Sequence, residues 1–138
     1  MGQARVPSKL NILFVCRENA CRSQIAEAFA RLHGADRVTS FSAGSQPRGS
    51  VDAEAQAVMR ERGITLDAHQ SKGLQDLPSL TWDVVVGMGC NDACPQVQAK
   101  QHVEWDIPDP AGRPLTTYRN VRDTIEQRVK SLITQLSS

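Results

Sequence analysis

Apolar residues fall into short runs separated by polar stretches whose own spacing is helical. Leu10, Ile12, Leu13, Phe14 and Val15 make the first run, β-branched at Ile12 and Val15. Its length suits a strand buried on both faces. From Ile25 the apolar positions Ile25, Ala28, Phe29 and Leu32 recur at helical spacing, with Glu27 and Arg31 on the polar side. That helix is expected to stop at Gly34, after His33. Residues 37–42 alternate enough for a second strand, and residues 46–50, with Pro47 and Gly49, read as a loop. A second helix is predicted over 52–62, ending at Gly63, with Ala53, Ala57 and Met59 turned partly inward. Residues 64–75 are loop-like. Val84, Val85 and Val86 centre a third buried strand over 82–88, and a short fourth is expected at 102–107. The loop 108–112 contains Pro108 and Pro110 and cannot be helical. A long helix follows over 118–136, its apolar face made by Val121, Ile125, Val129, Leu132, Ile133 and Leu136.

Strands alternating with helices in this order predict an α/β fold, an open four-stranded parallel sheet with helices on both faces. The chain of 138 residues is long enough for one core, so residues 1–138 are read as a single domain whose first nine residues are a loose tail. The formal net charge is +1 with both signs interspersed, which points to neither nucleic acid nor a membrane surface. No apolar run approaches the 18 or so residues of a membrane span and no signal-peptide core is seen, so a cytoplasmic location is expected. Four cysteines in such a chain read as chemistry rather than as a secreted disulfide framework. His33, His69 and His102 are isolated from one another and read as surface or packing residues.

The chemistry starts where the first strand ends. Five residues separate Cys16 from Arg22 and Ser23 follows at once, the C-x5-R-S pattern of phosphatases that use a cysteine nucleophile. A strand that turns directly into a helix N-terminus makes an anion site, because unpaired amides and the helix dipole converge there. The residues Arg17, Glu18, Asn19, Ala20, Cys21, Arg22 and Ser23 can curl around a tetrahedral oxyanion, and Arg22 offers a planar fork to two of its oxygens. The same amides favour the thiolate, which is the reactive form of a cysteine. In an open parallel sheet, ligands bind beyond the C-terminal strand ends. Cys16 follows the first strand, Cys90 the third and Asp109 the fourth, so all three project from one edge. A zinc site remains an alternative for the thiols, since Cys16/Cys21 and Cys90/Cys94 both have zinc-like spacing; it would consume Cys16 and leave the oxyanion loop without a purpose.

The segment VCRENACRSQIAEAF resembles the nucleophile loop of the low-molecular-weight protein tyrosine phosphatase superfamily, and within it the thioredoxin-linked arsenate reductases. The resemblance runs from about Asn11 to Leu136 and takes in Asn19, Cys21 and Glu27. It implies that Cys16 is the nucleophile and Asp109, before Pro110, the general acid. It also implies that Cys90 attacks the arsenic adduct on Cys16 and that Cys94 resolves the resulting disulfide. Cys90 and Cys94 are closer together here than in many relatives; four residues of helix rise about 6 Å, within disulfide reach. Where many relatives have glycine this chain has Glu18, whose carboxylate would repel the anion unless it is screened. Phosphotyrosine-directed members usually carry aromatics after the Asp-Pro pair, whereas this chain has Ala111 and Gly112. Asn19, Glu27 and Ser42 match residues that surround potassium in some reductases, with Lys72 standing where those have an aspartate; no metal is expected.

The expected function is reduction of arsenate to arsenite by a thiol–disulfide relay. No cofactor would be tightly bound, and thioredoxin or a low-molecular-weight thiol system would be the external reductant. The runner-up is a phosphatase for phosphotyrosine or small phosphate esters, with Cys21 protecting Cys16 as a disulfide.

Overall fold

The structure, a computed structural model, describes residues 9–17, 19–44, 49–66, 71, 73–88 and 97–136. Four strands, β1 (Leu10–Cys16), β2 (Val38–Gly44), β3 (Trp82–Gly87) and β4 (Ala99–Glu104), form one parallel sheet in the order β2-β1-β3-β4. Among the described residues three α-helices accompany them: α1 (Arg22–His33), α2 (Ala53–Arg60) and α3 (Leu115–Leu136). Ile12 pairs with Val84 and Phe14 with Val86, and their side chains meet all three α-helices in the larger core. Leu13, Val15 and Val85 point the other way, into a smaller cluster covered in part by Leu74 and Leu77 around the 3-10 helix Leu74–Asp76. Helices thus lie on both faces, unequally. No helix among the described residues is long and apolar enough to cross a membrane.

The C-terminal end of β1, which lies inside the sheet between β2 and β3, carries the site. Met88 donates its N–H to the Val15 carbonyl (2.8 Å) and Trp105 to that of Gly87 (2.8 Å), which extends the ladder beyond the strands. At the opposite end of α1, Gly34 is required by packing. A Cβ there would lie 2.7 Å from Val38 Cγ2 and 2.8 Å from Ile133 Cδ1.

Several boundaries depart from the expectation, each for a physical reason. The fourth strand is Ala99–Glu104, three residues earlier than predicted. It is an edge strand, and its residues are mostly exposed and polar, as suits an edge. The apolar Trp105 and Ile107, which suggested a strand, instead fold over the core from the loop after it. The inward face of α2 is Ala55, Val58 and Met59; Ala53 is exposed. The last helix begins at Leu115 behind Pro114, whose carbonyl accepts the Thr117 N–H (2.9 Å). Glu27, expected on a polar face, is buried. Its carboxylate accepts hydrogen bonds from Ser42 Oγ (2.5 Å) and Arg31 Nη2 (2.9 Å), and its carbonyl one from Ser40 Oγ (3.0 Å).

Candidate active site

The loop between β1 and α1 is held by a chain of buried side chains. Asn19 sits at φ 52°, the left-handed region that asparagine tolerates better than most residues. There its carboxamide turns inward. Gln24 Nε2 donates to Asn19 Oδ1 (2.9 Å) and to the Asn19 carbonyl (3.2 Å), which fixes the amide with its nitrogen toward Ser23. Asn19 Nδ2 donates to Ser23 Oγ (2.7 Å), and Ser23 Oγ lies 2.9 Å from Cys16 Sγ. Ser23 Oγ accepts from Asn19 and keeps its own proton to donate to the sulfur when Cys16 is a thiolate. Asn19, Ser23 and Gln24 are fully buried, so no solvent competes for these bonds.

Arg22 is the first residue of α1, and its guanidinium is nearly buried. Nη1 donates to the Ile107 carbonyl (3.0 Å), while Nη2 lies 3.7 Å from Asp109 Oδ2. Asp109 Oδ1 accepts the Ala111 N–H (3.0 Å), an Asx turn that orients the carboxyl back over the loop. The segment after β4 therefore delivers both an anchor for Arg22 and a carboxyl beside it. No acidic side chain stands in the first turn of α1, so its dipole is unopposed from within.

Cys16, Ala20 and Arg22 line a small cleft, together with Arg17, Cys21, Asp52 and Asp109. The structure thus brings together Cys16, Arg22, Ser23, Asn19 and Asp109. Glu18, Cys90 and Cys94 lie outside the described residues, as do Lys72 and His69. Asp52 is the residue that sequence reasoning missed. It stands at the N-terminus of α2, and its N–H donates to the Ala20 carbonyl (2.8 Å), which pins that helix to the loop. Its only signal in the sequence was an acidic residue before a helical pattern, with nothing to tie it to residues 16–23.

Cys21 is a buried free thiol and the N-cap residue of α1. Burial pushes its titration up, and Asp52, Cys16 and Asp109 add to this against the opposing charge of Arg22. Tyr118, buried at the start of α3, is also pushed up, by burial and then by Asp52 and Cys21. Among the described residues, no group of three or more His, Cys, Asp or Glu is arranged to hold a metal ion. His33 stacks on Phe29 (6.0 Å between rings) and bonds Glu126 (2.8 Å), and His102 bonds the Val97 carbonyl (2.7 Å), both away from this cleft.

A strand-end cysteine and an arginine at a helix N-terminus, bridged by Ser and Asn and faced by an Asp-Pro loop, define a cysteine-based oxyanion site. The profile of the low molecular weight phosphotyrosine protein phosphatases matches residues 11–138, and the chain belongs to that family. Its relatives include a glutaredoxin arsenate reductase from Synechocystis, 34% identical over 129 residues that cover 91% of this chain and 98% of that protein. Arsenate reductase 1 of Staphylococcus epidermidis is 35% identical over 129 residues, covering 89% and 95%. Among solved structures, an arsenate reductase in the phosphate binding state superposes with a TM-score of 0.84 at 33% identity, covering 92% of this chain and 98% of that one.

Proposed function

We propose that the protein is an arsenate reductase working through a phosphatase-like site, with Cys16 as nucleophile. The observation that carries the reading is the buried Gln24–Asn19–Ser23–Cys16 chain, which places a hydroxyl 2.9 Å from the sulfur in a cleft that Arg22 also lines. Arsenate enters the loop and accepts hydrogen bonds from backbone amides and Arg22. Cys16 thiolate attacks arsenic, and Asp109 protonates the departing oxygen so that water leaves. Cys90 thiolate then attacks Cys16 Sγ. The S–As bond breaks toward arsenic, which takes the electron pair and leaves as arsenite. Cys94 attacks Cys90, freeing Cys16 and leaving a Cys90–Cys94 disulfide, which thioredoxin reduces by the same exchange chemistry.

Three features favour a small oxyanion over an aromatic ester. Ala20 gives the loop no bulky wall, and Ala111 and Gly112 follow the Asp-Pro pair where an aromatic substrate would need a stacking surface. The described wall of the cleft contains no aromatic side chain. The test is arsenate-dependent oxidation of a reduced thiol protein by the purified chain, with thioredoxin and glutaredoxin–glutathione supplied separately. Turnover with thioredoxin is expected; turnover only with glutaredoxin would reassign the reductant, and none with either would overturn the reductase reading.

A further inference from the structure

Gln24 is a fully buried polar residue in the first turn of α1. Burying an amide costs free energy unless its hydrogen bonds are met, and an apolar residue would fill the position without that cost. What the amide does there follows from the groups it faces. Its Nε2 meets two oxygens of one residue, the Asn19 carbonyl (3.2 Å) and Asn19 Oδ1 (2.9 Å). A backbone carbonyl can only accept a hydrogen bond, so the Gln24 atom facing it is the amide nitrogen and not the oxygen. That fixed point decides every later link. Asn19 turns Oδ1 to Gln24 and presents Nδ2 to Ser23 Oγ (2.7 Å), and the Ser23 proton is kept for a thiolate at Cys16 Sγ, 2.9 Å away. With the Asn19 amide turned over, Ser23 would donate to Oδ1 instead, and the sulfur would lose its donor.

We infer that Gln24 is a positioning residue that holds the Asn19 amide in the one orientation leaving the Ser23 proton to the Cys16 thiolate. It acts through Asn19 and Ser23 and is not among the residues that line the cleft. Its second bond, to the Asn19 carbonyl, also ties down the backbone of a residue at φ 52°. One amide therefore holds both the shape of the loop at Asn19 and the sense of the hydrogen bonds that reach the sulfur. The inference rests on the reading of Cys16 as nucleophile and not on the arsenic chemistry that follows.

Trypsin cuts after Lys9, Arg17 and Arg22, so Cys16 and Cys21 fall on different peptides and each is read separately. Full-length wild type, Gln24→Met, Ser23→Ala and the double variant are labelled with iodoacetamide at pH 7, and each peptide is quantified by mass spectrometry. Gln24→Met keeps the length of the side chain but offers no donor, so the Asn19 amide is free to take either orientation. Cys16 labelling is expected to slow by roughly three- to tenfold, part of what a whole hydrogen bond to a charged group is worth, with Cys21 labelling unchanged. In Ser23→Ala the chain stops short of the sulfur, and adding Gln24→Met is expected to slow Cys16 no further. Unchanged Cys16 labelling in Gln24→Met overturns the inference, as does equal slowing in both backgrounds. Faster labelling at both cysteines, the mark of a loosened loop, overturns it too. Should Gln24→Met not fold, Gln24→Glu decides, because a carboxylate there accepts from Asn19 Nδ2 and turns the amide over. Any effect of its charge through space persists in Ser23→Ala, whereas an effect carried by the chain does not. Slowing that shrinks in Ser23→Ala supports the inference, and equal slowing overturns it. An absence of arsenate turnover in wild type would count against the reductase reading and leave these labelling results as they stand.

Discussion

Replacing Asn19 by aspartate reverses the hydrogen-bond chain without disturbing its shape. Aspartate tolerates the left-handed backbone at φ 52° nearly as well as asparagine, and one oxygen still accepts from Gln24 Nε2. Its other oxygen replaces the Nδ2 donor that lies 2.7 Å from Ser23 Oγ. The Ser23 proton then turns toward the new carboxylate and away from Cys16 Sγ, 2.9 Å distant. A hydrogen bond to a charged group is worth about 1.5–3 kcal/mol, so Cys16 reactivity should fall by roughly 10- to 150-fold. Stability should fall by about 1–3 kcal/mol, because a fully buried carboxylate loses its hydration and gains only the Gln24 and Ser23 donors. Asn19→Ala behaves differently. It loses the side-chain bonds to Ser23 and Gln24, about 0.5–1.5 kcal/mol each, and places an ill-suited residue in the left-handed region at a further 1 kcal/mol or so. Its urea midpoint should report a loss of about 2–4 kcal/mol. The assay pairs urea denaturation with the rate of Cys16 labelling by neutral iodoacetamide. Wild-type labelling in a folded Asn19→Asp protein would refute the orientation argued for Ser23.

Arg22→Lys should cut kcat/KM for arsenate severely even if folding is kept, because a point charge replaces neither the bidentate fork nor the bond to the Ile107 carbonyl; steady-state kinetics checks this. Asp109→Asn should slow the oxygen-leaving step by about 10²–10⁴-fold while inorganic phosphate binds at least as well, measured by rapid quench and by isothermal titration. Hydrogen bonds from Arg119 and Arg122 hold the Glu61 carboxyl down to about 2 from its ordinary 4.5. A depressed carboxyl stabilises the fold above its unfolded value and loses that contribution as the pH falls through its folded one. The Tm gap between wild type and Glu61→Gln should therefore be constant above about pH 5 and close between pH 4.5 and 2.

The strand–loop–helix unit was legible because its signals are local. The buried run of β1 ends at Cys16, helical spacing starts within ten residues, and the loop between them has the length of an oxyanion cradle. The central strands were equally clear, since Val84, Val85 and Val86 are buried on both faces. Edge β4 was misplaced because an edge strand lacks the apolar signature and Trp105 and Ile107 have it for another reason. Buried charges were the other blind spot. Glu27, Arg122 and Glu126 look solvent-facing by polarity. They are tolerated inside because partners arrive from distant parts of the chain: Ser42 for Glu27, Glu61 and the Val58 carbonyl for Arg122, Arg62 and His33 for Glu126. Burial raises the Glu126 carboxyl, and the bonds from Arg62 and His33 outweigh it and hold it below the ordinary range. Asp52 escaped for the same reason, since a backbone bond to Ala20 across more than thirty residues leaves no trace in spacing.

In the proposed relay, electrons leave through Cys90 and not through Cys21. The direct measurement is a single turnover of Cys90→Ser with arsenate, read by arsenite release and by mass spectrometry of non-reduced peptides, alongside hydrolysis of a small phosphate ester. No arsenite beyond background is expected, with an arsenic adduct or free thiol at Cys16 and ester hydrolysis that persists. Full arsenite release from Cys90→Ser, with Cys16–Cys21 as the disulfide formed, would contradict it.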